Sequence, residues 1–218
     1  ELAKKLKCSL VNIWPGQDGY DYPLQANYLQ ARQWIVDAIR TAAKAYPDIR
    51  FSLEYKPKEP RTHSFLTRAA DTLLLAQEVG LPNVGVTIDT GHSLVAGEDM
   101  AEAAALLDHA GKKLFHMHFN DNYRFWDDDM IVGSVHLVEF IELLFWLKEL
   151  GYDGWYSMDQ YPYREDAQGA LRNSVEFLQD IEAMLTEKSR EEIRAILAEG
   201  DAVKSTTWLR SKIFPSKR

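Results

Sequence analysis

The segment VGVTIDTGH, residues 84–92, is the part of the sequence that says most about the fold. Side chains of a β-strand alternate between two faces. The first six residues therefore place two valines and an isoleucine on one face, and a glycine, a threonine and an aspartate on the other. One face is suited to packing against helices. The other is small and polar, and it ends in an ionisable residue, Asp89.

Four further segments are predicted to be strands, and the last three show the same alternation. The predicted strands lie near residues 8–14, 50–56, 84–89, 113–119 and 154–159. In a (β/α) barrel the active site lies at the C-terminal mouth, where polar strand ends meet. An open doubly wound sheet would instead favour apolar residues on both faces. The strand pattern therefore favours a barrel.

Amphipathic helical patterns alternate with these strands. They cover about residues 26–46, 64–80, 97–110, 135–150 and 167–186. Gly80, Gly111 and Gly151 each follow one of them, as expected for left-handed helix C-caps. Short connections between strands and helices indicate βα units on a parallel sheet.

The predicted fold is therefore α/β, of the (β/α)8 TIM-barrel type. Five strands do not close such a barrel, so we expect residues 1–186 to form a partial barrel, about its C-terminal five βα units. About three units would then precede residue 1. For residues 187–218 we expect a helical C-terminal extension, with a helix over 187–199, and a solvated basic tail anchored by Ile213 and Phe214.

Composition restricts the partners of the 218-residue chain. Its 33 acidic and 25 basic residues give a net charge of −8, which disfavours nucleic-acid and anionic membrane surfaces. We therefore expect no nucleic-acid partner and no membrane partner. The one cysteine, Cys8, cannot form an internal disulfide, which favours a reducing, cytoplasmic location. We expect its side chain to be a small buried hydrophobe.

Four residues that commonly bind metals end four different predicted strands: Glu54, Asp89, His118 and Asp159. Because strand ends converge in a barrel, the four side chains are predicted to meet at one point. The alternative for Asp89 and for Asp159, each taken alone, is a helix N-cap, and neither residue by itself decides between a cap and a ligand. Helix capping alone is an improbable reason for four different strands to end in such residues at one mouth, and this favours a metal site.

Additional candidate ligands follow two of these strands. His92 lies three residues after Asp89, and Gly91 between them permits a tight turn. Asp127 and Asp129 can project to the same side of an extended segment and chelate a second ion. The alternative for this acidic stretch, favoured when it is taken alone, is a solvated turn before a helix N-terminus.

Charge and ligand chemistry indicate which ions would bind. Five ionised carboxylates at one mouth would repel one another, and two divalent cations would nearly cancel their charge. Mixed carboxylate and imidazole ligands suit Mn²⁺, Co²⁺, Zn²⁺ or Mg²⁺, and the excess of carboxylates favours Mn²⁺ or Mg²⁺. We expect two divalent metal ions, with Mn²⁺ first. His116, deeper in its strand, is predicted to be a hydrogen-bonded interior residue and not a ligand.

The motifs LEYK, TIDTGH, HMHFND with the later DDD, and SMD resemble those of the xylose isomerase-like barrels. Within them the chain is most similar to the L-rhamnose isomerase group, over about residues 8–185. The resemblance implies a first ion held by Glu54, Asp89, His118 and Asp159. It implies a second ion held by His92, Asp127 and Asp129, with either Asp89 or Glu54 as the residue that bridges the two ions.

The resemblance also implies an activity. We expect a metal-dependent sugar isomerase that interconverts aldose and ketose by a metal-assisted hydride shift, with Asp159, Lys56 and Glu54 as catalytic residues. Lys56 would contact a substrate oxygen, and Trp14 would line the sugar site. The chain departs from the group in a slightly longer segment between His118 and the aspartate triplet, and in lacking the N-terminal strands.

Three other interpretations stay open at this point. A keto-sugar 3-epimerase would use Glu54 and Asp159 as a pair of carboxylates on opposite faces of the substrate. Another metal-dependent barrel lyase or hydrolase, or a catalytically silent truncated barrel module, would also fit. The net charge disfavours the apurinic endonucleases, which share the barrel but need a positive rim. The resemblance further suggests a homo-oligomer, with Trp208, Ile213 and Phe214 at subunit interfaces.

Overall fold

A computed structural model describes residues 1–214 of the chain. The end of the predicted basic tail, residues 215–218, lies outside the described residues. The strands are β1 (Leu10–Ile13), β2 (Gly19–Tyr20), β3 (Arg50–Glu54), β4 (His63–Ser64), β5 (Val84–Asp89), β6 (Leu114–Phe119) and β7 (Tyr156–Met158).

Helices follow the strands in the alternation predicted for βα units. They are α1 (Leu2–Lys5), α2 (Tyr28–Ala45), α3 (Ala69–Val79), α4 (Thr90–Val95), α5 (Met100–His109), α6 (Leu137–Leu150), α7 (Ala167–Met184), α8 (Glu187–Glu199) and α9 (Ala202–Ile213). Within residues 1–214, none of them has the length and apolar character needed to cross a bilayer.

The main sheet has five strands in the order β1-β3-β5-β6-β7, and every neighbouring pair is parallel. Each of these strands therefore pairs with the next main-sheet strand along the chain, as in a partial TIM barrel. The register places Asp89 on β5 directly opposite His118 on β6. The prediction of a five-stranded partial (β/α) barrel is confirmed.

One face of this sheet packs against the helices and forms the core. In β6 the alternation is visible directly, because Phe115, Met117 and Phe119 are buried while the alternate residues Leu114, His116 and His118 are half-buried. Phe119 contacts Phe140 of α6, with ring centroids 6.4 Å apart. Burial of each such large side chain contributes roughly 1.5–3 kcal/mol. The opposite row of each strand is thereby left to line the barrel interior.

The helix boundaries differ from prediction mainly at α3. The pattern over 64–80 predicted one long helix, but residues 63–64 form β4, which pairs antiparallel with β2. The helix begins only at Ala69. Its predicted C-cap is confirmed, because Gly80 has a φ of 72°. Gly151 has a φ of 67° after α6, so its predicted left-handed conformation is also confirmed.

The end of the described chain corrects the prediction of a solvated tail. Residues 202–213 form α9, and its N-cap is Asp201, whose side chain accepts a hydrogen bond from the Val203 amide. Trp208 and Ile213 pack against the core of the same chain, and the Trp208 indole donates to Glu192 on α8 at 2.9 Å. The apolar face of α9 therefore packs against the core of the chain, a contact that the basic composition of this segment does not predict.

Cys8 is exposed, so the prediction that it is a small buried hydrophobe is wrong. The residue lies in the short connection between α1 and β1, before the first residue of the sheet. The apolar strand pattern therefore extends one or two residues beyond the hydrogen-bonded strand.

Candidate metal centre

Four strand ends bring together the first group of predicted ligands. Glu54 ends β3, Asp89 ends β5, His118 is the penultimate residue of β6, and Asp159 follows β7. One side-chain atom of each residue lies within 4.8 Å of the corresponding atoms of the other three. His118 Nδ1 lies 3.4 Å from Glu54 Oε1 and 3.2 Å from Asp159 Oδ2. We call these four residues the strand-end cluster.

A second group adjoins the first and shares one residue with it. Asp89, His92 and Asp127 each offer a ligand atom within 4.8 Å of the others. His92 Nε2 lies 3.1 Å from Asp127 Oδ2. We call this group the loop cluster, because Asp127 lies in the connection between β6 and α6. Asp129 lines the same cavity but is not a member of either group.

The segment after β5 differs from the predicted turn. Thr90–Val95 is the short helix α4, and Gly91 lies inside it. Asp89 is the N-cap of this helix and accepts a hydrogen bond from the His92 amide at 2.9 Å. A Cβ on Gly91 would lie 2.0 Å from Asn120 Oδ1, so glycine is needed here for close approach and not for a turn. Asp89 is thus both a helix cap and a member of both clusters.

Two asparagines that the sequence reasoning missed hold the carboxylates in place. The Asn120 side-chain amide donates to both Asp89 oxygens, at 3.1 and 3.0 Å. The Asn12 amide donates to Glu54 Oε2, and Asn12 Oδ1 accepts from Thr87 at 2.7 Å. Asn12 lies in β1, and its position in the sequence does not indicate its contact with Glu54.

His116 lies in the barrel interior, as predicted. Its Nε2 is 3.1 Å from the Ser157 hydroxyl. Burial and the neighbouring His118 lower the pKa of His116 to about 4, so its ring is neutral at pH 7. It is absent from both metal-type groups among residues 1–214.

The donor set fits divalent metal ions. Three polar atoms at the site are buried and have no hydrogen-bond partner in the described chain: His92 Nδ1, His118 Nδ1 and Asp127 Oδ1. Buried polar atoms are normally paired, and unpaired ones call for an explanation such as an ion. Carboxylate oxygens and imidazole nitrogens are the ligands that Mn²⁺ and related divalent ions take.

The pKa values show how strongly these groups interact. Burial and the Glu54 and Asp127 carboxylates raise the pKa of Asp89 to about 6, against the opposing effect of His92. Burial alone would lower the pKa of His92, but the carboxylates of Asp89 and Asp127 outweigh it and raise the value to about 9.

His118 behaves in the same way. Burial opposes its charge, but Asp159 and Glu54 raise its pKa to about 10. Protonated imidazoles therefore neutralise part of the carboxylate charge in the ion-free protein. Asp129 has no such partner, and burial with the nearby Asp127 raises its pKa to about 7. A divalent ion in either cluster would take over the role of the imidazolium protons, because its positive charge would neutralise the carboxylates in their place.

A cavity of about 280 Å³ opens beside the two clusters. It is lined by Trp14, Glu54, Lys56, His92, Asp127, Asp129 and Asp159. Lys56 Nζ lies 2.8 Å from Asp127 Oδ2 and 2.9 Å from Glu59 Oε2. It also lies 5.3 Å from the centre of the Trp14 ring, within cation–π distance. Burial lowers the pKa of Lys56, but the two carboxylates outweigh this and raise it.

A parallel half-barrel with its ionisable residues at the C-terminal strand ends defines the TIM-barrel class of proteins. The family described as "Xylose isomerase-like TIM barrel" matches residues 1–181, and the chain belongs to this family.

Curated relatives of the chain include sugar isomerases. The chain is 29% identical to a xylose isomerase of Thermus thermophilus over 177 residues, which cover 78% of this chain and 45% of the relative. It is 33% identical to a probable sugar isomerase of Rhizobium meliloti over 137 residues, 62% of this chain and 31% of the relative. The chain thus spans less than half the length of these curated relatives.

Solved structures support the same fold. A D-tagatose 3-epimerase-like protein superposes with a TM-score of 0.69 at 26% identity, covering 85% of this chain and 66% of that one. A D-psicose 3-epimerase superposes with a TM-score of 0.61 at 19% identity over 83% of this chain and 64% of that one, which supports the fold alone. The predicted similarity to the L-rhamnose isomerase group stays a prediction.

Proposed function

We propose that this chain is the metal-binding part of a divalent-metal-dependent sugar isomerase that interconverts an aldose and a ketose, as L-rhamnose isomerases do. The observation that carries the proposal is the pair of carboxylate–imidazole clusters at the barrel mouth, which share Asp89. Family membership over residues 1–181 and the sugar isomerases among the relatives support it.

Each cluster would hold one ion. The strand-end cluster supplies three carboxylates and one imidazole. The loop cluster would supply His92 and Asp127, with Asp89 shared by the two clusters and Asp129 as a further ligand from the cavity wall. Divalent ions bound there supply Lewis acidity and a template that orients sugar oxygens. Mn²⁺ is the first choice because carboxylates outnumber imidazoles.

Lys56 and Trp14 would bind the sugar. The Lys56 ammonium is buried, positively charged and directed at the cavity that holds the clusters, so it can donate a hydrogen bond to a carbonyl or hydroxyl oxygen. Trp14 is half-exposed on the same wall and offers an aromatic face to the apolar side of a sugar.

The reaction moves two hydrogens. The hydrogen on C2 moves with its electron pair to C1, while the proton on O2 is transferred to O1, so that aldose and ketose balance. Asp159 is suited to handle the hydroxyl proton because its carboxylate is half-exposed at the mouth. The protonated His118 ring, whose Nδ1 lies 3.2 Å from Asp159 Oδ2, lowers the pKa of Asp159, so the group is ionised and able to accept a proton. Glu54, the third predicted catalytic residue, would act as a metal ligand beside Asp159.

A keto-sugar 3-epimerase is the second candidate, favoured by the epimerases among the solved structures. It would need one carboxylate to remove the C3 proton and another to return a proton to the opposite face. Glu54 and Asp159 are the available pair, and both flank His118 Nδ1. That mechanism gives no role to the loop cluster, which is why the isomerase ranks first.

Turnover in D₂O separates these functions. The protein would be loaded with Mn²⁺, Co²⁺, Mg²⁺ or Zn²⁺, and a panel of aldoses and ketoses would be followed by NMR. A hydride shift gives a ketose without solvent deuterium on carbon, whereas epimerisation by proton transfer places deuterium on C3. Deuterium at C3 would support the epimerase. No conversion of any sugar with any ion would contradict both and favour a catalytically silent module.

The double variant Asp127→Asn with Asp129→Asn tests the loop cluster. We expect it to lose one of two bound ions and its turnover while keeping its fold, because both side chains lie at the mouth and outside the core. Asp128→Asn is the matched control, since among residues 1–214 this member of the same triplet belongs to neither cluster and its side chain accepts a hydrogen bond only from the Tyr123 amide. Unchanged turnover in the double variant would remove both residues from the site.

A further inference from the structure

We infer that His136 is a positioning residue for the loop cluster: together with Asp121 and Arg124 it fixes the loop that carries Asp127, and so sets the affinity for the second ion. The inference rests on the proposed two-metal function. It concerns residues outside both clusters and outside the cavity wall.

The Asp121 carboxylate accepts hydrogen bonds from both ends of the loop between β6 and α6. The residue is fully buried and follows Asn120, the first residue after β6. Its Oδ2 accepts from the amides of Val135 and His136, each at 2.9 Å. Its Oδ1 accepts from the Asn122 amide at 2.9 Å and lies 2.7 Å from His136 Nδ1. One charged group therefore joins the start of the loop to the start of α6.

A backbone bridge divides this loop and encloses Asp127. Asp121 and Met130 exchange two backbone hydrogen bonds, of 3.1 and 2.8 Å. Residues 122–129 lie inside the bridge. The position of Asp127 is therefore determined by how these eight residues are held and not by a strand of the main sheet.

Arg124 holds the far side of the enclosed segment and fixes the histidine tautomer. Its Nε lies 3.1 Å from His136 Nε2. A guanidinium can only donate, so His136 Nε2 must be the acceptor and carry no proton. The ring proton is then on Nδ1 and is donated to Asp121. The His136 ring thus connects Asp121 to Arg124.

The enclosed segment is joined to the other ligands of the loop cluster. The Asn122 side-chain amide donates to the Gly91 carbonyl in α4 at 2.9 Å, one residue before His92. Arg124 has a left-handed φ of 69°, and its amide donates to Asn122 Oδ1 at 2.8 Å. Movement of the Arg124 anchor would therefore displace Asp127 relative to His92. Glu54 and His118, by contrast, are held within the sheet.

Manganese titration of the protein tests this inference without measuring turnover. Free Mn²⁺ would be counted by electron paramagnetic resonance and binding heats by calorimetry, for wild type and His136→Phe. Changes in residues that orient metal ligands typically weaken affinity roughly 10–100-fold. We expect such a loss at the second ion and less than about a two-fold change at the first.

A milder variant and a control accompany it. Arg124→Met keeps the Asp121–His136 hydrogen bond and removes only the outer anchor, so it should weaken the second ion less than His136→Phe does. Glu139→Gln removes the carboxylate 3.3 Å from Arg124 Nη2 and leaves the other contacts in place. We expect wild-type titrations for this control. Circular dichroism shows whether each variant is folded.

The outcomes separate the inference from the proposed function. Two ions in wild type with a weakened second site in folded His136→Phe and Arg124→Met support the inference. Two ions in wild type, with both affinities unchanged in these variants, overturn it and leave the two-metal proposal intact. A wild-type protein that binds one ion or none contradicts the two-metal proposal and overturns the inference with it. If His136→Phe does not fold, Arg124→Met decides.

Discussion

The strand-end cluster and the loop cluster use the same ligand types but are built in different ways. Glu54 and His118 belong to hydrogen-bonded parallel strands, and the register itself puts Asp89 opposite His118. Asp127 reaches the site from a long connection held by side-chain contacts to Asp121 and Asn122. A site on strands follows from the sheet, whereas a site on a loop depends on every contact that holds the loop. We therefore expect the first ion to bind more tightly than the second.

The largest effect is expected for the residue that the two clusters share. Asp89→Asn should abolish binding of both ions and reduce turnover by at least about 100-fold, because a neutral amide replaces the carboxylate common to both sites. Calorimetric Mn²⁺ titration and an isomerase assay would measure this. Asp99→Asn is the control, because Asp99 also caps a helix but lies in neither cluster. Retention of either ion at wild-type affinity would show that Asp89 is not shared.

Glu54→Gln should distinguish the clusters. Glu54 belongs only to the strand-end cluster, so this variant should lose the first ion, keep the second and lose most of its turnover. Asn12 donates to the carboxylate now, and the Gln side-chain oxygen can still accept from it, so the fold should be retained. Mn²⁺ stoichiometry measures the effect. A stoichiometry of two ions per chain in this variant would contradict the assignment.

Gly91→Ala tests the contact between α4 and the strand end that holds both clusters together. The added Cβ would overlap Asn120 Oδ1, and overpacking of this kind typically costs about 1–3 kcal/mol of unfolding free energy. Urea denaturation would measure it. In an Asn120→Ala background the same substitution should cost less, since the overlapping side chain is gone. Equal costs in the two backgrounds would contradict the steric explanation.

The smallest effect is a release of protons on metal binding. His92 and His118 have pKa values of about 9 and 10 without ions, so both rings are protonated at pH 7. Metal ligation requires a neutral ring nitrogen, so binding should release about two protons and become stronger as pH rises toward these values. Calorimetry in two buffers of different ionisation enthalpy measures the number. An absence of proton release would mean that these imidazoles are not ligands.

The sequence alone predicts the part of the site that depends on strand order. The residue types at the ends of the segments near 54, 89, 118 and 159 are sufficient to predict the strand-end cluster, because parallel strands in consecutive order bring their ends together. The choice between helix cap and ligand at Asp89 was open on sequence grounds, and the structure shows that the cap and membership of the clusters coexist.

Features that depend on contacts distant in sequence were not predictable. Asn12 and Asn120 look like ordinary polar residues, and only the fold brings their amides to Glu54 and Asp89. Helix α9 was expected to be a solvated tail, because its basic residues conceal an apolar face whose partner lies elsewhere in the chain. The homo-oligomeric state, the cytoplasmic location and the division of the chain near residue 187 stay predictions.

Diffraction from crystals grown with Mn²⁺, with anomalous data collected near the manganese edge, tests the central claim most directly. We predict two manganese peaks per chain, each roughly 2.0–2.6 Å from its ligand atoms. One would contact Glu54, Asp89, His118 and Asp159, and the other Asp89, His92 and Asp127. A single peak that does not touch Asp89, or no peak between these residues at saturating Mn²⁺, would contradict the account.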